Sequence, residues 1–153
     1  MIVELNNYEM EFCRIMASMR TVANAGKSVK DVKMGDGDGW QYNVDGVMTE
    51  YGFCKARNLF FDCSVQPRSG GYDCVAKNGT RIDIKSTRHK GRGIAIPLKQ
   101  KTDVDIFVVC YIEGNVLDYY GYCSAEAIYK PENIKNYGKG ECYSLPPESL
   151  AKM

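Results

Sequence analysis

The stretch YDCVAKNGTRIDIKST, residues 72–87, decides the fold. In its second half, RIDIKST, charged or polar side chains alternate with two isoleucines and a serine. Because a β-strand sends successive side chains to opposite faces, we expect Asp83 and Lys85 to stand side by side on one face, with two isoleucines packed beneath them. The stretch therefore predicts a strand that presents a carboxylate and an ammonium group together.

The turn before this strand determines which residue faces Asp83. A two-residue turn would leave Asp73 and Asp83 on different faces, since a slip of one residue inverts every side chain of a strand. A three-residue loop, Lys77-Asn78-Gly79 with Gly79 in the left-handed conformation, pairs Ala76 with Thr80 instead. That register sets Asp73 opposite Asp83, with Cβ atoms about 5 Å apart, and it is the register we predict.

Two carboxylates that face each other repel unless a cation lies between them, which indicates a divalent metal site. Mg²⁺ prefers oxygen ligands, and Asp73, Asp83 and the carbonyl of Ile84 would provide them, with Mn²⁺ as a substitute. Lys85, on the same face as Asp83, would stabilise developing negative charge or orient an attacking water. Glu50, on a helix predicted over 46–60, would ligate a second ion or hold a water. A solvated Asp-Lys pair on an edge strand is the alternative for the D-x-K triplet alone.

Glu50 in GVMTEYGFCKARN, Asp73 in GGYDCVA, and Asp83 and Lys85 in RIDIKST together resemble the motif of the PD-(D/E)xK nuclease superfamily. The resemblance covers most of residues 46–130 and is closest to small stand-alone nucleases of phage type. Gly71-Tyr72 stands where the family motif has proline before the first aspartate.

The resemblance implies an α/β (α+β) fold with a restriction-endonuclease-like core, in which a central mixed β-sheet is flanked by helices. It also implies a Mg²⁺-dependent deoxyribonuclease, an endonuclease for structured, branched or processed DNA. Glu50, Asp73, Asp83 and Lys85 would be its catalytic residues, and a homodimer would be required for paired cuts. The alternative from another class is a non-catalytic DNA-binding or protein-interaction module that retains the fold.

The charge of the chain is unevenly distributed, although its formal net charge is only +1. Between Lys85 and Lys101 there are six basic residues and no acidic one. A local basic stripe attracts a polyanion more effectively than the net charge suggests, and a solvated basic loop is the alternative. We expect phosphate contacts from the residues in and after the RIDIKST strand: Arg81, Thr87, Arg88, His89, Lys90 and Arg92. Asp105 is expected to be structural, and Arg20 to be a surface charge.

The 153 residues predict one domain with an ordinary hydrophobic content of 44%. The predicted order is a helix over 4–24, a loop over 25–45, a core over 46–130 and an irregular C-terminal tail. Within the core, after the second helix, strands are predicted at 61–65, 71–76, 80–87, 103–114 and 115–124, and Ser124 is predicted to cap a short helix.

The seven cysteines are widely spaced and contain no C-x-x-C pair, which argues against a structural zinc site. We interpret them as reduced and mostly buried thiols. The N-terminal segment lacks the basic start and the apolar run of an export signal. These features favour a cytoplasmic protein, in the host cytoplasm if the chain is phage-borne.

Overall fold

The computed structural model describes residues 1–25, 39–65, 71–100, 102–138 and 140–153. Across these ranges, no helix is both long enough and apolar enough to span a bilayer. The helices and strands in them are β1 Ile2–Glu4, α1 Asn7–Ala25, α2 Gly39–Arg57, β2 Cys74–Val75, β3 Arg81–Thr87, β4 Ile94–Pro97, β5 Ile106–Glu113, β6 Val116–Ser124, α3 Ala125–Ile128, β7 Ile134–Asn136, β8 Glu141–Leu145 and β9 Ala151–Lys152.

The main sheet is mixed, as predicted. Its strand order is β1-β6-β5-β3-β2, and β9 pairs with β6 beside β1. Strand β3 runs parallel to β5, whereas the other pairs in this sheet are antiparallel. Strand β5 is central and almost wholly buried, and β6 is its antiparallel neighbour, so both predictions are confirmed. A second sheet has the order β4-β8-β7.

Two apolar clusters lie on opposite faces of the main sheet. Helices α1 and α2 cover one face, where they pack on Ile82 and Ile84 of β3 and on Val108 of β5. The other face packs Phe107 and Val109 of β5 against β4 and α3. Because Asp83 lies between the two isoleucines and pairs with Phe107 across the parallel ladder, it belongs to the second face.

The first predicted helix begins three residues too early. Residues 2–4 form β1, which pairs with β6. Helix α1 then starts after Asn6, whose Oδ1 accepts the Glu9 N–H at 3.0 Å while the Glu9 carboxylate accepts the Asn6 N–H at 2.9 Å. This reciprocal capping box satisfies two backbone donors and fixes the helix start.

The second predicted helix begins too late, and the predicted strand over 61–65 is wrong. Residues 39–45 were assigned to a loop, but they form the first turns of α2, which buries Val44 and Asp45. The remainder of that predicted loop, residues 26–38, lies outside the described residues.

Gly52 sits where α2 meets β6: a Cβ there would lie 2.4 Å from Leu117 Cδ1. This glycine lets the helix approach the sheet closely.

The prediction of an irregular C-terminal tail is wrong, because the described residues of the tail include β7, β8 and β9. Strand β8 pairs with β4, a four-residue strand inside the stretch interpreted as a basic loop. Strand β2 spans only two of the six residues predicted over 71–76. None of the seven cysteines is in a disulfide, and all but Cys63 are buried, which confirms the prediction that they are mostly buried.

Candidate active site

The hairpin between β2 and β3 has the predicted three-residue loop. The Ala76 N–H donates to the Thr80 carbonyl at 2.9 Å, and the Gly79 N–H donates to the Ala76 carbonyl at 2.9 Å. Gly79 has φ of +88°, in the left-handed region that glycine adopts without a Cβ penalty. Cys74 pairs with Ile82, so the register continued by one residue sets Asp73 opposite Asp83.

The regular ladder ends at Cys74, and Asp73 continues the pairing in a different way. Its N–H donates to the Ile82 carbonyl at 2.8 Å. Its carboxylate Oδ2 accepts the Ile84 N–H at 2.7 Å. In a regular ladder the Ile84 N–H would donate to a backbone carbonyl, but here it donates to the Asp73 side chain. This hydrogen bond holds the Asp73 carboxylate against β3, beside Asp83.

Asp83 and Lys85 form an ion pair on the face predicted for them. Lys85 Nζ lies 2.8 Å from Asp83 Oδ2, and the Asp83 side chain is only 7% exposed. Burial of the ammonium acts to lower the pKa of Lys85, but the carboxylates of Asp83 and Asp73 outweigh it and raise that pKa overall. Lys85 is therefore a cation at neutral pH.

Glu50 reaches the same site from α2. Its Oε2 accepts a hydrogen bond from Arg20 Nη1 at 2.8 Å, and Arg20 Nη2 donates to the Asp62 carbonyl at 2.8 Å. The Arg20 guanidinium also lies 5.6 Å from the centre of the Phe61 ring. The prediction of Arg20 as a surface charge is wrong, because this side chain is only 17% exposed and orients Glu50.

Glu50 and Asp83 both lie close enough to Asp73 to influence its carboxyl group. Burial raises the pKa of Asp73 well above its usual value, and the negative charges of Glu50 and Asp83 raise it further. The Ile84 N–H and Lys85 act in the opposite direction without reversing the effect. Glu50, Asp83 and Lys85 thus all act on Asp73, which brings the four residues of the predicted motif together at the edge strand β2.

The donor set suits a hard cation, because every side-chain ligand that the motif supplies is a carboxylate. Added positive charge would also relieve the repulsion that raises the pKa of Asp73. As the side chains stand, the part of the chain that the structure describes contains no group of three or more His, Cys, Asp or Glu arranged to hold a metal ion. Lys85 pairs with Asp83 and Arg20 with Glu50, so both carboxylates would have to exchange a cationic partner for the metal. The metal role of the Ile84 carbonyl stays a prediction.

Arg88 and Arg81, two of the residues predicted to contact phosphate, form ion pairs with carboxylates of the chain itself. Arg88 donates from Nε and Nη2 to the two carboxylate oxygens of Asp45, both at 2.7 Å. Asp45 is 3% exposed and also accepts from Gln41. Arg81 pairs with Asp103 and Asp105, which confirms the structural role predicted for Asp105. For both arginines a nucleic-acid role stays a prediction.

The other predicted contacts lie in the turn between β3 and β4. Thr87 Oγ1 accepts the His89 N–H at 3.1 Å, which shapes the start of this turn. The side chains of His89, Lys90 and Arg92 are exposed, directly after the strand that carries Asp83 and Lys85. Their placement is compatible with phosphate contacts, which stay a prediction.

Sequence reasoning missed Tyr129, which follows α3 and covers the same face as Lys85. The Tyr129 hydroxyl accepts the Thr102 N–H at 3.2 Å, and its ring packs edge-on against Phe107 with centroids 5.7 Å apart. It lies near enough to Lys85 to influence the pKa of that residue. The Thr102 hydroxyl is buried and has no hydrogen-bond partner within the described ranges. No motif spacing links these residues, so a sequence signal for them is lacking.

No protein-family model matches this chain, and no curated protein matches its sequence. What the chain does is therefore inferred from the residues of the site.

Proposed function

We propose that this protein is a Mg²⁺-dependent deoxyribonuclease that hydrolyses phosphodiester bonds, an endonuclease for structured, branched or processed DNA. One observation carries the proposal: Glu50, Asp73, Asp83 and Lys85 meet at the edge of the main sheet. Helix α2, the residue before β2 and strand β3 supply these residues, and nothing in their folding requires three carboxylates to be neighbours. Groups held in mutual repulsion are typical of functional sites rather than of structural ones.

Each residue of the site has a role in this proposal. Asp73, Asp83, Glu50 and the Ile84 carbonyl would hold the metal. When bound, Mg²⁺ would supply positive charge that polarises the phosphoryl group and favours ionisation of water. Lys85, whose raised pKa keeps it protonated, would stand beside the scissile phosphate and stabilise the negative charge that develops there.

The DNA backbone would lie along the turn that follows β3. His89, Lys90 and Arg92 are exposed there. Among the residues that the structure describes, Lys90 and Arg92 form no ion pair, so their charges would meet phosphates directly. Phosphate contacts of this kind position the nucleic acid and carry no sequence information. Arg88 would contribute mainly by fixing the turn to α2 through Asp45.

The test is cleavage of supercoiled, linear, single-stranded and branched DNA in Mg²⁺ or Mn²⁺. We expect Asp83→Ala and Lys85→Ala each to lose at least ~10²-fold in rate, since each removes a group that acts on the reacting phosphate. Arg14→Ala is the matched control, because Arg14 is exposed and its ion pair among the described residues is with Glu11, one turn away. Undiminished cutting by both site variants would refute the proposal.

One observation favours the alternative of a non-catalytic DNA-binding or protein-interaction module. Asp83 and Glu50 are each neutralised within the chain, by Lys85 and Arg20. A module of that kind would bind DNA without metal, and its affinity would fall steeply with salt. Binding that survives Asp73→Ala, together with no cleavage by the wild type in any metal, would favour the module over the enzyme.

A further inference from the structure

A cavity of about 180 Å³ lies between α1 and α2, beside the candidate active site. Its floor is apolar and is formed by Ala17 and Val47, which are 0% and 2% exposed. Glu50 forms part of its wall, so the cavity borders one carboxylate of the site. A ligand in this cavity would therefore lie beside Glu50, one of the proposed metal ligands.

The wall carries carboxamides with unused hydrogen-bonding capacity. Asn43 Nδ2 donates to Thr21 Oγ1 at 2.9 Å, and the Asn43 carbonyl oxygen accepts nothing from the described residues. Asn24 is half-buried, and its carboxamide makes no hydrogen bond within the described ranges. Two partly buried amides that face one cavity can provide both donors and acceptors to a ligand.

The cavity also has an aromatic rim and room for a flat group. Tyr42 lies at the rim with 44% of its surface exposed. One turn further along α2 is Gly46, where an added Cβ would meet no atom within 4 Å. A side chain at Gly46 would thus occupy the cavity itself rather than displace the core.

We propose that this cavity binds an unpaired nucleobase next to the phosphate to be cut. The proposal rests on the proposed nuclease function and deepens it by naming the substrate: DNA with a single-stranded, bulged or branch-point nucleotide. Carboxamides read the edges of bases through paired hydrogen bonds, and a tyrosine ring offers a face for stacking. A base inside an intact duplex is stacked and paired, so it cannot enter a pocket of this kind without leaving the helix.

The charges of the cavity favour a base over a free anion. Arg20 is the cation that lines the described part of the cavity, and its guanidinium is bonded to Glu50 and to the Asp62 carbonyl. An isolated phosphate would have to compete with the Glu50 carboxylate for that guanidinium. A neutral base needs only the amides, the ring and the apolar floor.

Binding can be measured without cleavage because Trp40 is the only tryptophan of the chain and lies two residues before Tyr42. The four deoxynucleoside 5′-monophosphates are titrated without metal while Trp40 fluorescence is recorded, with 2-deoxyribose 5-phosphate as the control that lacks a base. We expect a saturable change with at least one nucleotide and none with the sugar phosphate. Gly46→Leu, which fills the cavity, should weaken nucleotide binding at least ~10-fold, whereas Gly46→Ala should weaken it less. Equal responses to nucleotide and sugar phosphate, or an unaffected Gly46→Leu variant, would overturn the proposal.

Cleavage separates this inference from the function on which it rests. The substrates are a paired duplex, the same duplex with a one-nucleotide bulge, and that bulge made abasic, each in Mg²⁺. For the Asn24→Ala/Asn43→Ala variant we expect KM on the bulged substrate to rise about 10-fold with kcat unchanged. Metal-dependent cutting that does not prefer the bulge would overturn the base pocket and leave the nuclease proposal intact. Nucleotide binding without cutting of any substrate would support the pocket and refute the nuclease.

Discussion

The ion pair between Arg88 and Asp45 allows a stability prediction that distinguishes a structural arginine from a phosphate ligand. Asp45 is almost fully buried on α2, and its two oxygens each lie 2.7 Å from a nitrogen of Arg88. Arg88→Ala would leave that carboxylate buried with Gln41 as its one remaining partner among the described residues. We therefore expect the variant to be destabilised even in the absence of DNA.

The magnitude follows from the burial of the two partners. Breaking a buried ion pair from one side costs ~3–5 kcal/mol in the free energy of unfolding. The Arg88 side chain is 45% exposed, so water screens the pair and the expected loss is smaller, about 2–3 kcal/mol. For a chain of this length, 1 kcal/mol corresponds to ~2–4 °C, so Tm should fall by about 4–12 °C.

The assay is thermal and urea unfolding at pH 7 of the wild type, Arg88→Ala, Asp45→Asn and the double variant. The two single changes should not add, because both remove the same interaction. Lys90→Ala, in the same turn but exposed, is the matched control and should change stability by less than ~0.5 kcal/mol. An Arg88→Ala variant with the wild-type Tm but weakened DNA binding would refute the structural role and restore the phosphate contact.

Four further predictions concern the site and its support. Asp73→Asn should abolish cleavage yet raise Tm at pH 7. The folded-state pKa of Asp73 lies above its ordinary value of 3.8, so the wild type loses stability as pH rises from 3.8 through the folded-state pKa. The higher Tm of the variant should therefore vanish when unfolding is measured below pH 3.8. Mg²⁺ at 100 times its Kd should stabilise the wild type by ~2.7 kcal/mol and so raise its Tm, but it should not stabilise Asp73→Asn. Equal shifts in Tm for both proteins would contradict metal binding at this carboxylate. Gly52→Ala should lower stability in urea unfolding by ~1–3 kcal/mol, because its Cβ would lie 2.4 Å from a leucine methyl of β6. The control is Gly46→Ala on the same helix, which has open space around it and should be neutral or raise stability by up to ~1 kcal/mol. Tyr129→Phe should cost ~1 kcal/mol, since the Thr102 N–H loses its acceptor, and an unchanged unfolding midpoint would show that water replaces the hydroxyl.

The hairpin register could be predicted from the sequence because its determinants are local. The period of two in RIDIKST fixes which side chains share a face, and a glycine in the left-handed region fixes the loop length. Together they set Asp73 opposite Asp83 within fifteen residues of chain. Ser124 as the cap of a short helix is predictable for the same reason, since its hydroxyl accepts the Ala127 N–H three residues later.

The contacts that complete the site could not be predicted because their partners are distant in the sequence. Arg20 and Glu50 are thirty residues apart, and Arg88 and Asp45 are forty-three apart. A charge on an amphipathic helix is indistinguishable from a solvated one until the neighbouring segment is known. The strands of the second sheet were missed for another reason: at three to five residues each, they are too short to show a period.

The pairing of β1 with β6 has a consequence for the order in which the protein folds. Ile2 pairs with Asp118, so the first strand to be synthesised must wait for one of the last strands of the main sheet. The parallel pair β3 and β5 imposes a shorter delay of the same kind. Closing such long loops costs conformational entropy before any contact compensates for it, which slows folding. The site hairpin, by contrast, can close on its own, so the two aspartates can come together before the sheet that holds them is complete.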